Sequence, residues 1–266
     1  MRVKVNGTTL NYEVEGPEGA PVIMVSHGIA TSLEIWTEVS GHLKAKYRVV
    51  RYDSRGHGGS DPIEGPYTME MLADDAVGLM DALGIEKCHY GGLSLGGMTA
   101  LGVGLNHPDR VLSILVCDAR AQTNPETNKA WQERIDAVKA NGIEAIVESS
   151  IARWVAKAFH NDPARKERLK RIVRGTSVAG YIGSSQALQG LNFGARLGEI
   201  KVPTLYLTGE EDQGASPAVM KAMQAATPGA QYVEIPDAGH LTSFEQPKAV
   251  ADALDKFISG LMARAA

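Results

Sequence analysis

A doubly wound α/β sheet with an antiparallel edge is the fold the chain predicts, and three observations predict it. Short, continuous apolar runs recur along the sequence, which is how strands buried on both faces read. Stretches of helical periodicity separate them, so the strands are expected to be parallel neighbours joined by crossover helices. Ahead of the first such run, two alternating segments flank Asn6-Gly7, a pair that supplies the positive φ angles of a tight hairpin.

Taken in order, VKVNGTTLNYEV gives the antiparallel hairpin, and after Pro21 the strand candidates are PVIMVSHG, YRVVRYD, KCHYGGL, VLSILVCD, TLYLTG and QYVEIPDAGH. Between the second and third of these, YTMEMLADDAVGLMDALGI sets Met69, Leu72, Ala73, Ala76, Met80 and Leu83 on one helical face, and Gly84 ends the period. MTALGVGL reads as the helix that follows KCHYGGL. From Gln122 to Leu197 no strand-like run occurs, only charged helical patterns such as WQERIDAVKANGIEAIVESSIARWVAKAF. That stretch is several times too long for one crossover, so it is expected to form a helical cap, or lid, at one edge of the sheet. The division is a core of residues 1–121 and 198–266 and a cap of residues 122–197. Pro247 opens a last helix with Val250, Leu254, Phe257, Ile258 and Leu261 on one stripe.

With 266 residues, 44% of them hydrophobic, the chain can bury a full core. A net charge of -4 without basic tracts leaves no footprint for nucleic acid or for a membrane surface. A small-molecule partner is expected instead. MRVKVNGTTL lacks the apolar core of a signal peptide, and no apolar run approaches the roughly 20 residues of a membrane span, so the cytoplasm is the expected location. Cys88 and Cys117 lie inside apolar runs and read as inert core residues. No cluster has metal-ligand spacing, and no metal or cofactor is expected.

The chemistry centres on GGLSLGGMTA, where a strand end passes directly into a helix start. Gly92 and Gly96 let the chain turn sharply between neighbouring elements, which leaves Ser94 at the exposed apex. The orphan N–H of Leu95 opens the following helix and points where negative charge would develop if Ser94 attacked a carbonyl. A second donor is expected from the backbone of Ile29, after the His27-Gly28 pair. A serine hydroxyl needs a base, and the base needs an orienting acid. His240 ends the last strand candidate and Asp212 follows the one before it, so all three groups stand at carboxyl ends of strands, where sites of open α/β sheets form.

The order Ser, Asp, His on this alternation resembles the α/β-hydrolase fold from end to end. DSRGHGGSDPIEGPYTMEMLADDAVGLMDALGIEKCHYGGLSLGGM closely resembles the 3-oxoadipate enol-lactonase group. The resemblance implies Ser94 as nucleophile, Asp212 as acid, His240 as base and Ile29 with Leu95 as oxyanion hole. Asp118 is the rival acid, because it too ends a strand and some relatives of this fold keep the acid there. His57 stands in a glycine-rich loop without the lysine of a phosphate-binding motif and is expected to be structural, like His27, which orders the loop carrying Ile29. Asp53 and Asp61 read as turn caps.

Trp36, Trp154 and Phe159 are either core residues or walls of an apolar pocket. Arg120 and Arg153 are either surface cations or partners for a substrate carboxylate. The expected activity is hydrolysis of a small lactone or ester through an acyl-enzyme, with an enol-lactone as substrate. Alternatives are a general carboxylesterase with perhydrolase side activity and, from a different class, a non-catalytic receptor for a small ligand.

Overall fold

Residues 1–265 are described by the computed structural model. Eight strands form one sheet in the order β1-β2-β4-β3-β5-β6-β7-β8. Strands β1 (Arg2–Val5) and β2 (Thr8–Glu15) are the antiparallel hairpin, turning at Asn6 and Gly7 with φ of 44° and 75°. Strand β2 pairs antiparallel with β4 (Arg48–Tyr52). From β4 onward every pairing is parallel: β3 (Val22–Ser26), β5 (Cys88–Leu93), β6 (Val111–Cys117), β7 (Thr204–Gly209) and β8 (Gln231–Ile235). Every residue of β5 is buried, as a strand with neighbours on both sides and helices on both faces must be.

Helices α1 (Thr37–Leu43), α2 (Met69–Ala82) and α3 (Leu95–Asn106) connect the first half. Helix α2 starts at Thr68, whose hydroxyl accepts the N–H of Met71, and the chain leaves it through Gly84 at a φ of 65°. Between β6 and β7 lie α4 (Pro125–Asn141), α5 (Val147–Trp154), α6 (Pro163–Arg174) and α7 (Val178–Gln189), with short 3-10 turns. The chain enters and leaves this helical stretch through an isolated antiparallel bridge, Gln122 with Asn192, flanked by bonds from Phe193 N to Ala121 O at 2.7 Å and from Thr123 N to Leu191 O at 3.1 Å. Helix α8 (Pro217–Ala226) joins β7 to β8, the short α9 (Thr242–Glu245) follows β8, and α10 (Pro247–Ala265) packs against α1. Among the described residues no helix is long and apolar enough to cross a membrane.

Candidate active site

Ser94 occupies the junction of β5 and α3 with φ 54° and ψ -111°, a conformation a non-glycine residue holds only when its surroundings impose it. Three bonds impose it here: Ser94 N donates to Cys117 O on β6, Met98 N donates to Ser94 O, and Gly96 N donates to His27 O at the end of β3. A Cβ on Gly92 would meet Gly96 Cα at 2.7 Å, and one on Gly96 would meet Ser26 O at 2.6 Å, so the turn closes only with glycine at both places.

His240 reaches this apex from the loop after β8. Its Nε2 lies 2.9 Å from Ser94 Oγ, and its Nδ1 lies 2.8 Å from Asp212 Oδ2. Asp212 Oδ1 accepts the N–H groups of Gly214 and Ala215 at 2.6 and 3.0 Å, which leaves Oδ2 for the imidazole. Burial by itself would raise the Asp212 pKa, but His240 and the two amides outweigh it and hold the carboxyl below its ordinary value. Burial pulls His240 down while the Asp212 charge and hydrogen bond pull it up, and the net displacement is upward.

Asp118 does not touch the imidazole. Its Oδ1 accepts Gly209 N at 3.0 Å and its Oδ2 accepts the Thr242 hydroxyl, so it braces the ends of β6 and β7 against α9. Burial, reinforced by the neighbouring Asp212 charge, pushes its carboxyl well above the usual range.

The loop after β3 carries Ile29 and is framed by two buried histidines. His27 Nδ1 bonds to Gly28 O at 2.8 Å while its Nε2 accepts Ser54 N at 3.0 Å; His57 Nε2 accepts Ala30 N at 3.1 Å and its Nδ1 bonds to Arg55 O at 3.1 Å. Burial pushes His27 down to about 4, and burial together with His27 pushes His57 down to about 3. Both rings are therefore neutral near neutral pH, as an Nε2 that accepts an N–H requires. Asp53 completes the frame by accepting Leu33 N and Gly59 N at 2.7 and 2.9 Å. Among the described residues the N–H groups of Ile29 and Leu95 donate no hydrogen bond within the protein. Ile29 borders the same cavity as Ser94.

That cavity, of about 540 Å³, has Ser94 and His240 in its floor and the helices between β6 and β7 above it. Trp131, Trp154, Leu188 and Leu191 supply an apolar wall. Of the arginines expected to face a substrate, both Arg120 and Arg153 line it. Arg120 Nε donates to Gly214 O, so its stem is fixed next to the Asp212 loop, and Arg153 is an exposed residue of α5 whose guanidinium donates to Ser150 Oγ at 3.4 Å. A third cation, Arg134 of α4, went unread in the sequence; its guanidinium lies 4.7 Å from the ring centroid of Trp131, one helical turn away. Arg134 and Arg153 line the same cavity, and desolvation first and the Arg134 charge second lower the Arg153 pKa. Glu126 is the acidic residue of the wall, and among the described residues none of the three arginines is ion-paired with it.

Two aromatic positions correct the expectation of pocket walls. Trp36 is 1% exposed beneath the sheet, its indole donating to Ser26 O at 2.8 Å, because the 3-10 turn of Leu33–Trp36 turns inward under β3. Phe159 packs on Phe244, with ring centroids 5.8 Å apart, outside the cavity.

Comparison with known proteins agrees with this architecture. Residues 21–247 match the family model described as the alpha/beta hydrolase fold. A 3-oxoadipate enol-lactonase of Acinetobacter baylyi is 35% identical over 257 residues, covering 96% of this chain and 95% of that protein. Among solved structures, the enol-lactonase from Burkholderia xenovorans superposes with a TM-score of 0.93 at 32% identity, over 97% of this chain and all (100%) of that one. A malate-bound thermophilic esterase from Thermogutta terrifontis gives a TM-score of 0.93 at 32% identity, over 98% and 99% of the two chains.

Proposed function

Since the chain belongs to the α/β-hydrolase family, we propose that it is a serine hydrolase that opens a small acidic lactone, of the enol-lactone type, through an acyl-enzyme. The observation that carries the reading is the continuous hydrogen-bonded line from Asp212 Oδ2 through His240 to Ser94 Oγ, at 2.8 and 2.9 Å, in the floor of a cavity.

In this reading a neutral His240 takes the Ser94 proton at Nε2 as Oγ adds to the lactone carbonyl. Asp212 keeps Nδ1 protonated and stabilises the imidazolium. The two undonated N–H groups, of Ile29 and Leu95, receive the oxyanion, and the dipole of α3 adds to them. His240 then returns the proton to the departing ring oxygen. With an enol-lactone the leaving group is an enol that tautomerises to a ketone, so the ring-opening step asks little of the protein. Water enters, gives a proton to His240 and attacks the acyl carbon, and collapse of the second tetrahedral adduct, with His240 returning that proton to Oγ, frees the carboxylic acid, which ionises, and restores Ser94.

Arg134 and Arg153 support the acidic substrate. Two cations on one cavity, with no carboxylate partner among the described residues, leave room for an anion, and a charge-assisted contact contributes on the order of 1.5–3 kcal/mol, or roughly ten- to a hundredfold in kcat/KM. Residues 122–197 act as the lid that carries these groups. The aromatic wall of Trp131 and Trp154 favours a second reading, a general carboxylesterase for neutral acyl groups.

A panel of lactones and p-nitrophenyl esters, with labelling of Ser94 by a serine-directed phosphonate, tests the proposal. Adduct on Ser94 with acidic lactones preferred is the expected result. Adduct with only neutral esters turned over moves the assignment to the esterase, and no adduct leaves a ligand-binding protein.

A further inference from the structure

Glu245 is 6% exposed, and its carboxylate has no salt-bridge partner among the described residues but accepts three backbone N–H groups. Oε1 accepts the N–H groups of Gly239 and Leu241 at 3.0 and 3.2 Å, the two residues that flank His240 in the chain. Oε2 accepts the N–H of Ala156, in the segment after α5, at 2.7 Å. His240 N itself donates to Trp154 O at 2.5 Å, and the side chain of Trp154 lines the cavity. The approach is tight: a Cβ on Gly239 would meet Trp154 O at 2.5 Å and Ala156 N at 2.7 Å. Arg165 of α6 closes the arrangement from the other side by donating to the carbonyls of Phe244 and Glu245.

We propose that Glu245 is a positioning residue, which fixes the His240 loop from both sides and ties it to the strip of lid that carries Trp154. One carboxylate thus sets the direction of the imidazole toward Ser94 and the place of a cavity wall. A buried carboxylate is costly unless its lone pairs are used, and here three backbone donors use them. Glutamine in the same space keeps the volume but brings an NH2 group against at least one of those donors, so one side of the clamp is lost.

The inference rests on Ser94 being the nucleophile and His240 its base. The charged groups around His240 are Asp212 from the loop after β7, Asp118 from the end of β6 and Glu245 from α9, and all three raise its pKa. Phosphonylation of wild-type Ser94 is therefore expected to rise with pH through an ionisation above the ordinary histidine value of about 6.5. Removing one negative charge moves that limb to lower pH.

The test compares inactivation by a fluorophosphonate, read by intact-protein mass spectrometry across pH, in wild type, Glu245→Gln and Glu245→Asp. Expected for Glu245→Gln is a maximal inactivation rate lower by about 100-fold, the cost of a misplaced base, with the half-saturating concentration little changed and the acid limb displaced downward. Glu245→Asp keeps the charge but is one methylene too short to hold both sides, so it should retain the wild-type limb at a reduced rate. Wild-type rate and limb in Glu245→Gln overturn the proposal; should that variant not fold, wild-type rate in Glu245→Asp does so. Failure of the wild type to label at all overturns instead the assignment of Ser94, which separates the two.

Discussion

Asp212 and Asp118 are both buried carboxylates at strand ends, and what separates them is what each oxygen touches. Asp212 spends one oxygen on two loop amides and gives the other to His240, whereas Asp118 spends both on Gly209 and Thr242. Only the group bonded to Nδ1 fixes the tautomer that leaves Nε2 free to accept a proton. Asp212→Asn is expected to lower kcat by about 10⁴-fold, and Asp118→Asn, which keeps an oxygen to accept a hydrogen bond and leaves the bond to the imidazole untouched, to leave most activity. Turnover of any reactive ester decides it, and the opposite ranking moves the acid to Asp118. Chain order and strand ends were enough to bring Ser94, His240 and Asp212 forward, because a sharp turn between glycines and a histidine after the last strand leave marks in the sequence. Glu245 left none. Its role depends on three backbone amides from two distant segments, and a lone glutamate in LTSFEQP reads as an ordinary helix residue.

At the scale of elements, α4 shows why the cavity's cations were only partly legible. The helix is polar along most of its length, and Trp131 and Arg134, three apart, share a face as other pairs at that spacing do. Periodicity gives the face; it does not tell whether that face looks at solvent or at a cavity. Trp36 fails for the reverse reason, since a loop position near the site carries no direction, and the turn after β3 drives the ring into the core. The strands and α2 were legible throughout because burial on two faces or on one stripe dictates composition. The pairing of Arg134 with Arg153 carries an expectation at this scale. Replacing either by alanine should reduce kcat/KM for acidic lactones by roughly ten- to a hundredfold while hydrolysis of a neutral ester changes little. Equal losses on both substrates would show that the arginines hold up α4 and α5 and leave selectivity elsewhere.

Over the whole molecule the charge is -4, but the cavity beneath the helices between β6 and β7 presents Arg120, Arg134 and Arg153 against Glu126. An anion is therefore drawn by a local field of sign opposite to the net charge, and such fields act over about 10 Å at 0.1 M salt. Raising the ionic strength from about 0.02 to about 0.5 M is expected to lower kcat/KM several-fold for acidic lactones and to leave neutral esters unaffected. A salt-independent preference, measured in the same buffers, would argue for recognition by shape alone. The bridge of Gln122 with Asn192 has a consequence for how such a molecule diversifies. The chain leaves the sheet and returns to it through one hydrogen-bonded pair, so the register of β6 on β7 is indifferent to what hangs between, and the entropy of closing that excursion grows only with the logarithm of its length. Roofs are thus exchangeable parts, and a graft crossing at these two residues inherits the floor with Ser94 in place. Among the conditions of such an exchange, whatever replaces the roof must offer a carbonyl to His240 N and an amide to Glu245, as Trp154 and Ala156 do, or the His240 loop loses its footing when the ceiling is changed.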